Sequence, residues 1–114
     1  MKRYITILLF ITFLFPQSFG KNKVQYNTFD WEYIVSPNFN VYYYGDNYDL
    51  AIFTSEVAER SIEQIGKHLR WRPGKPIKII VYTSHNDFQQ TNVVDVYMSE
   101  GIGGVTELFK NRIV

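Results

Sequence analysis

His85, Asn86 and Asp87 follow an apolar run at positions 77–82, with Gln89, Gln90 and Asn92 close behind. An imidazole beside a carboxylate is the raw material of a general base or of one arm of a metal site. A metal site needs three or four converging donors. The chain has two histidines and no cysteine, and the second histidine, His68, falls in a helical stretch. The residues therefore offer no metal ligand set and no catalytic group. The plainer reading is that Asn86 and Asp87 cap the loop backbone while His85 hydrogen-bonds locally. Glu100 and Glu107 are carboxylates of the type used in acid–base chemistry, but no His, Cys or Ser is aligned with either. Gly101-Ile102-Gly103-Gly104 lacks the G-x-G-x-x-G spacing of a dinucleotide site. It reads as a turn or bulge with flexible or positive-φ backbone. His85, Asn86, Asp87, Gln89, Gln90, Asn92, Glu100 and Glu107 are thus candidates for a ligand edge or a structural loop.

The run 77–82 has four aliphatic residues in six and opens at Pro76. That pattern suits a central strand buried on both faces. Its carboxyl end is the edge at which open α/β sheets bind ligands. Positions 29–35 alternate Phe29, Trp31 and Tyr33 against Asp30, Glu32 and Ile34, which predicts a strand with one aromatic face. Ser36-Pro37-Asn38 is a turn signal, and 39–44 alternates again, so the two form a hairpin. Asp46 or Asn47 is placed to cap a helix. Leu50, Phe53, Val57, Ile62, Ile65 and Leu69, with Ala58 and Ser61, recur at helical spacing as its core stripe. Glu56–Arg60 and Glu63–Lys67 are i,i+4 pairs on the other face. Pro73 and Gly74 end the helix near Arg70-Trp71. The crossover makes strands 39–44 and 77–82 parallel. A further element is expected at 93–98, and one or two short strands at 105–114. The fold class is α+β: a small mixed sheet with an N-terminal hairpin, one long packed helix and a central strand.

Lys2 and Arg3, an apolar run over 5–15, Pro16 and the small residues Ser18 and Gly20 follow the pattern of a secretory signal peptide over 1–20. The run is shorter than the roughly 20 residues of a membrane span, and an uncleaved anchor is the other reading. The absence of cysteine excludes a lipoprotein and a disulfide framework. Removing 1–20 takes the net charge from +1 to about −1. That near-neutral charge gives no basis for nucleic-acid binding. The tyrosines at 42–44 carry no interleaved cations of the kind single-strand binding uses.

Trp31, the segment Ser36-Pro37-Asn38-Phe39-Asn40-Val41-Tyr42-Tyr43-Tyr44, Ala58-Glu59 and Ile79-Ile80-Val81-Tyr82 carry a resemblance, and Ser84-His85-Asn86-Asp87-Phe88-Gln89-Gln90-Thr91-Asn92 is its most specific part. Residues 100–107 and 110–114 continue it. The chain resembles the N-terminal part of an exported, TolB-like family of Bacteroidetes-type bacteria. Its members look like a peptidase MA-like (gluzincin) metallopeptidase domain followed by a WD40-like propeller. The resemblance implies export to the periplasm or cell envelope of a Gram-negative bacterium, with 21–114 as the N-terminal portion of that domain. It implies zinc for the complete domain, held by an H-E-x-x-H helix. This sequence has no such motif, so no catalytic or zinc-binding role passes to any residue here. The resemblance also implies peptide or protein binding through the edge strand near 105–114. The alternative is a non-enzymatic envelope module for binding or assembly. The apolar helix stripe and the terminal strand predict marginal stability and self-association.

Overall fold

Alternating side chains on either side of Ser36-Pro37-Asn38 form an antiparallel hairpin of β1 (Trp31–Val35) and β2 (Phe39–Tyr44). Trp31 faces Tyr44 and Val35 faces Asn40. The structure, a computed structural model, describes residues 23–94 and 97–114. The expected signal segment lies outside these residues, as do two positions of the 93–98 stretch. The hairpin leads into α1 (Tyr48–Leu69), β3 (Ile77–Ile80) and the short α2 (His85–Gln89). β4 (Thr106–Glu107), a 3-10 turn (Leu108–Lys110) and β5 (Arg112–Ile113) follow.

The strands join as one mixed sheet in the order β1-β2-β3-β5-β4. β3 is central and parallel to both β2 and β5, and β4 closes the far edge antiparallel to β5. The fold is α+β, a small five-stranded mixed sheet with one long helix. β3 is shorter than the apolar run, yet Val81 N still donates to Tyr42 O at 2.9 Å.

Side chains alternate across the sheet, and two core layers result. Phe39, Val41 and Tyr43 of β2 pack under Ala51 of α1, with Ile34, Ala58, Ile62, Ile77 and Ile79 around them. On the other face Phe88, Val93, Met98 and Val114 pack against Ile80, Tyr82 and Val105.

The helix buries only part of its expected stripe, Ala58 and Ile62, and adds smaller positions to it. Ala51 and Ser55 are its buried positions, and Ala58 and Ile62 continue that side. Leu50, Phe53, Val57, Ile65 and Leu69 are exposed, Phe53 by 61%. Small side chains let the helix sit close to the aromatic strand β2, and that close approach decides which face turns inward. Asn47 occupies the cap position but makes no cap bond; its Nδ2 donates to Tyr44 O at 2.6 Å instead. The helix closes at Arg70, which adopts a left-handed φ of 52° and donates its N–H to Gly66 O. A Cβ on Gly66 would stand 2.8 Å from Trp71 O, so this reversal requires glycine there. Glu63–Lys67 forms at 2.7 Å, whereas Glu56 and Arg60 form no ion pair.

Positions 93, 94, 97 and 98 carry no helix or strand. Val93 and Met98 act instead as separate apolar anchors. Among Gly101, Gly103 and Gly104 none has a positive φ. Gly104 answers a close approach, since a Cβ there would lie 3.1 Å from Val114 O, beside the paired Val105 and Val114. Among the described residues no helix is long and apolar enough to cross a membrane.

Candidate functional site

β3 delivers the chain to Ser84, whose extended backbone and hydroxyl cap α2. Ser84 Oγ accepts from Asp87 N at 3.1 Å. The capping role thus falls to Ser84, while Asn86 is exposed. This frees the Asp87 carboxylate for other partners. Asp87 Oδ2 accepts from the Tyr44 hydroxyl at 2.7 Å, and Oδ1 accepts from Asn27 Nδ2 at 3.2 Å. The Tyr44 hydroxyl, with Ser84 and Asn27, holds the Asp87 carboxyl below its ordinary range against the opposing effect of burial. Burial pushes the Tyr44 phenol up. Thr83 N also donates to the Tyr44 oxygen, at 3.1 Å, so this tyrosine joins the ends of β2 and β3 to α2.

The remaining polar side chains face the chain itself. Gln89 Oε1 accepts from Met98 N at 3.0 Å, and its Nε2 donates to Met98 O. One amide thereby pairs with both backbone groups of a single residue and fixes Met98 against α2. His85 Nε2 lies 2.8 Å from Gln89 Nε2, where it can accept from the amide. Gln90 Oε1 accepts from Tyr26 N at 2.9 Å and Asn27 N at 3.0 Å. Asn92 Oδ1 accepts from Lys23 N at 2.9 Å, and Lys23 Nζ donates to Gln89 O at 3.2 Å. Asp87, Gln90 and Asn92 together form a clamp that reads the extended segment 23–27 largely through its backbone N–H groups. Phe29 continues that segment into an aromatic cluster, with ring centroids 5.5 Å from Trp31 and 4.4 Å from Tyr44.

Glu100 and Glu107 are not brought together. Glu107 sits between Lys110 at 3.0 Å and Arg112, whose Nε donates at 3.0 Å. The Lys110 hydrogen bond, then that of Arg112, keeps the Glu107 carboxyl low. Glu107 therefore staples the β4–β5 hairpin. Glu100 lines a cavity of about 410 Å3 together with His85, Ile102 and Gly104, at the carboxyl end of β3. His68 is remote from both, bonded through Nδ1 to Gln64 O at 2.8 Å. Among the described residues no three His, Asp or Glu side chains gather as a metal site.

Sequence reasoning passed over Glu59. Its Oε1 accepts from Ser36 Oγ at 2.6 Å and Asn38 N at 2.7 Å, and its Oε2 from Asn38 Nδ2 at 2.7 Å. Burial raises the Glu59 carboxyl, but the bonds from Ser36 and Asn38 outweigh it and leave it low. The signal was present: a turn rich in free donors needs an acceptor, and a helix carboxylate can supply one. No family model matches the chain, and no curated protein or solved structure matches it.

Proposed function

We propose that this chain is the scaffold portion of an exported zinc metallopeptidase-like domain of the peptidase MA (gluzincin) type, from a TolB-like protein of the Gram-negative cell envelope. In this reading the chain supplies the sheet, its edge strand and the approach to the site. A helix packed against it supplies the metal ligands. The observation that carries the reading is the bare apolar flank of α1. At 100° per residue, Leu50, Phe53 and Val57 lie on the side of the helix away from Glu59, which is tied to the hairpin turn. Ile113 shares the helix-side face with its neighbour Ile79 and is exposed. Leu50 and Val57 on the helix flank and Ile113 on the sheet therefore leave exposed apolar surface of the kind a second helix covers.

The test uses the product that the complete reading frame encodes. It is expected to hold about one zinc per chain and to hydrolyse peptide bonds, with both lost on chelation. A zinc-free, inactive product overturns the reading and leaves a non-enzymatic envelope module. One observation favours that second reading: Leu108 and Phe109 stand almost wholly exposed at the tip of the β4–β5 hairpin, beside the sheet edge. An exposed apolar tip at an edge strand suits docking of a peptide or protein.

A further inference from the structure

The sheet face opposite α1 is only partly covered. The clamped segment and the 91–98 loop close it over Tyr44 and Phe88, and beside them a cleft of about 530 Å3 stays open. That volume falls within the roughly 300–1,000 Å3 of ligand sites. Tyr42, Ile80 and Tyr82 line it, and Trp31 stands at one end. Tyr44 and Tyr82 hold Trp31 edge to face at 5.2 and 5.5 Å, yet the indole remains 39% exposed. It is a rigid aromatic surface open to a ligand.

The other end is cationic. Lys110 and Arg112 line it, and among the described residues no carboxylate does. Glu107, beside Arg112 on the neighbouring strand, pairs with both, one negative charge against two positive. Lys78 is the register neighbour of Arg112, exposed on the same face, and adds a third cation. Trp31 on β1 and Arg112 on β5 lie three strand spacings and four residues of register apart, roughly 20 Å across the sheet face. Between these ends the polar lining includes the side-chain amides of Gln25 and Asn92. Asn92 gives its carbonyl oxygen to Lys23 N, which leaves its N–H groups free to donate.

We propose that this cleft binds an acidic saccharide. A sugar ring has an apolar C–H face for the aromatic end, hydroxyls for the amides and, when acidic, a carboxylate for the cationic end. An extended peptide fits less well. Strand addition needs free backbone groups, and the floor here is the face of a sheet whose backbone is paired to its neighbours. The inference stands apart from the metallopeptidase reading, because none of these groups serves a metal.

Titration of the 15N-labelled chain with an oligogalacturonate trimer tests it. The indole N–H of Trp31 should shift saturably while that of Trp71, beyond the end of α1, stays still. Maltotriose, which is neutral, and a tripeptide of Ala-Phe-Ala sequence should give at least tenfold weaker responses. Lys78→Glu with Lys110→Glu, both at exposed positions, should weaken the acidic trimer at least tenfold, and added salt should weaken it further. Trp31→Ala should abolish binding; if that variant unfolds, the charge-reversed variant carries the test alone. No saturable shift below about 10 mM, an equal response to maltotriose, a preference for the tripeptide, or unchanged affinity after charge reversal would each overturn the proposal.

Discussion

The two faces of the sheet are built in different ways. On the helix side, regular elements meet through small and aliphatic residues: Ala51, Ser55 and Ala58 over Phe39 and Val41. On the opposite side no long element is present. A five-residue helix, an irregular loop and an extended segment are held by side-chain oxygens that accept from backbone N–H groups. The first face rests on apolar burial and should fail as a unit. The second adds separate polar bonds to a smaller apolar cluster of Phe88, Val93, Met98 and Val114, and its outer segment 23–27 should open piecemeal.

Truncating the helix-side core should therefore have the largest effect. Phe39→Ala removes a buried ring and should cost about 3–5 kcal/mol, read as a fall in the denaturant midpoint. The amides of the helix-side elements should lose protection together. If only residues near the hairpin lose protection, the helix side is not a single cooperative unit.

Next is Glu59, which joins that face to the hairpin turn. Glu59→Ala should cost about 1.5–3 kcal/mol, because three donors lose a charged acceptor. Its carboxyl is held below the ordinary value of 4.5. A lowered carboxyl contributes stability that is present above the ordinary value and is lost as pH falls through its own lower one. The acid limb of a stability–pH curve should thus be shallower in Glu59→Gln than in the parent. Parallel curves would show that Glu59 titrates without the hairpin.

The clamp should respond locally. Gln90→Ala removes the acceptor shared by Tyr26 and Asn27, so their amides should exchange faster by about tenfold, with the global midpoint lowered by roughly 1 kcal/mol or less. A loss of protection throughout the chain would erase the contrast between the two faces. Smallest of all is Glu63→Ala on the exposed flank of α1, expected to leave the denaturant midpoint unchanged within error. A measurable fall in midpoint there would mean that the Glu63–Lys67 pair does more than a surface pair can.

The regular half of this fold was legible in the residues. Alternation gave β1 and β2, the apolar run gave the central β3, and Pro73 with Gly74 marked the end of α1. The rotation of α1 was legible only in part: Ala58 and Ile62 were on the expected stripe and pack on the core, whereas Leu50, Phe53 and Val57 do not. Hydrophobicity ranks Leu50 and Phe53 above Ala51 and Ser55, but contact with an aromatic strand favours small side chains. The polar loop was legible as a place and not as a set of partners. Its composition singled out Asp87, Gln90 and Asn92, whereas their partners in 23–27 lie about sixty residues away in a segment with no periodic pattern. Backbone N–H groups carry no mark in the sequence. Glu59 differs: the donor-rich turn Ser36-Pro37-Asn38 marked the need for an acceptor, but nothing in the sequence said which helix carboxylate meets it.

The flank of α1 offers the most direct measurement. The chain has no cysteine, so Val57→Cys introduces a single thiol at an exposed position of that flank. Its labelling by a maleimide can be timed in the 114-residue chain and in the product of the complete reading frame. If the stripe is the seat of a zinc-bearing helix, the thiol should react quickly in the former and at least tenfold more slowly in the latter. Equal rates in the two would contradict the scaffold reading.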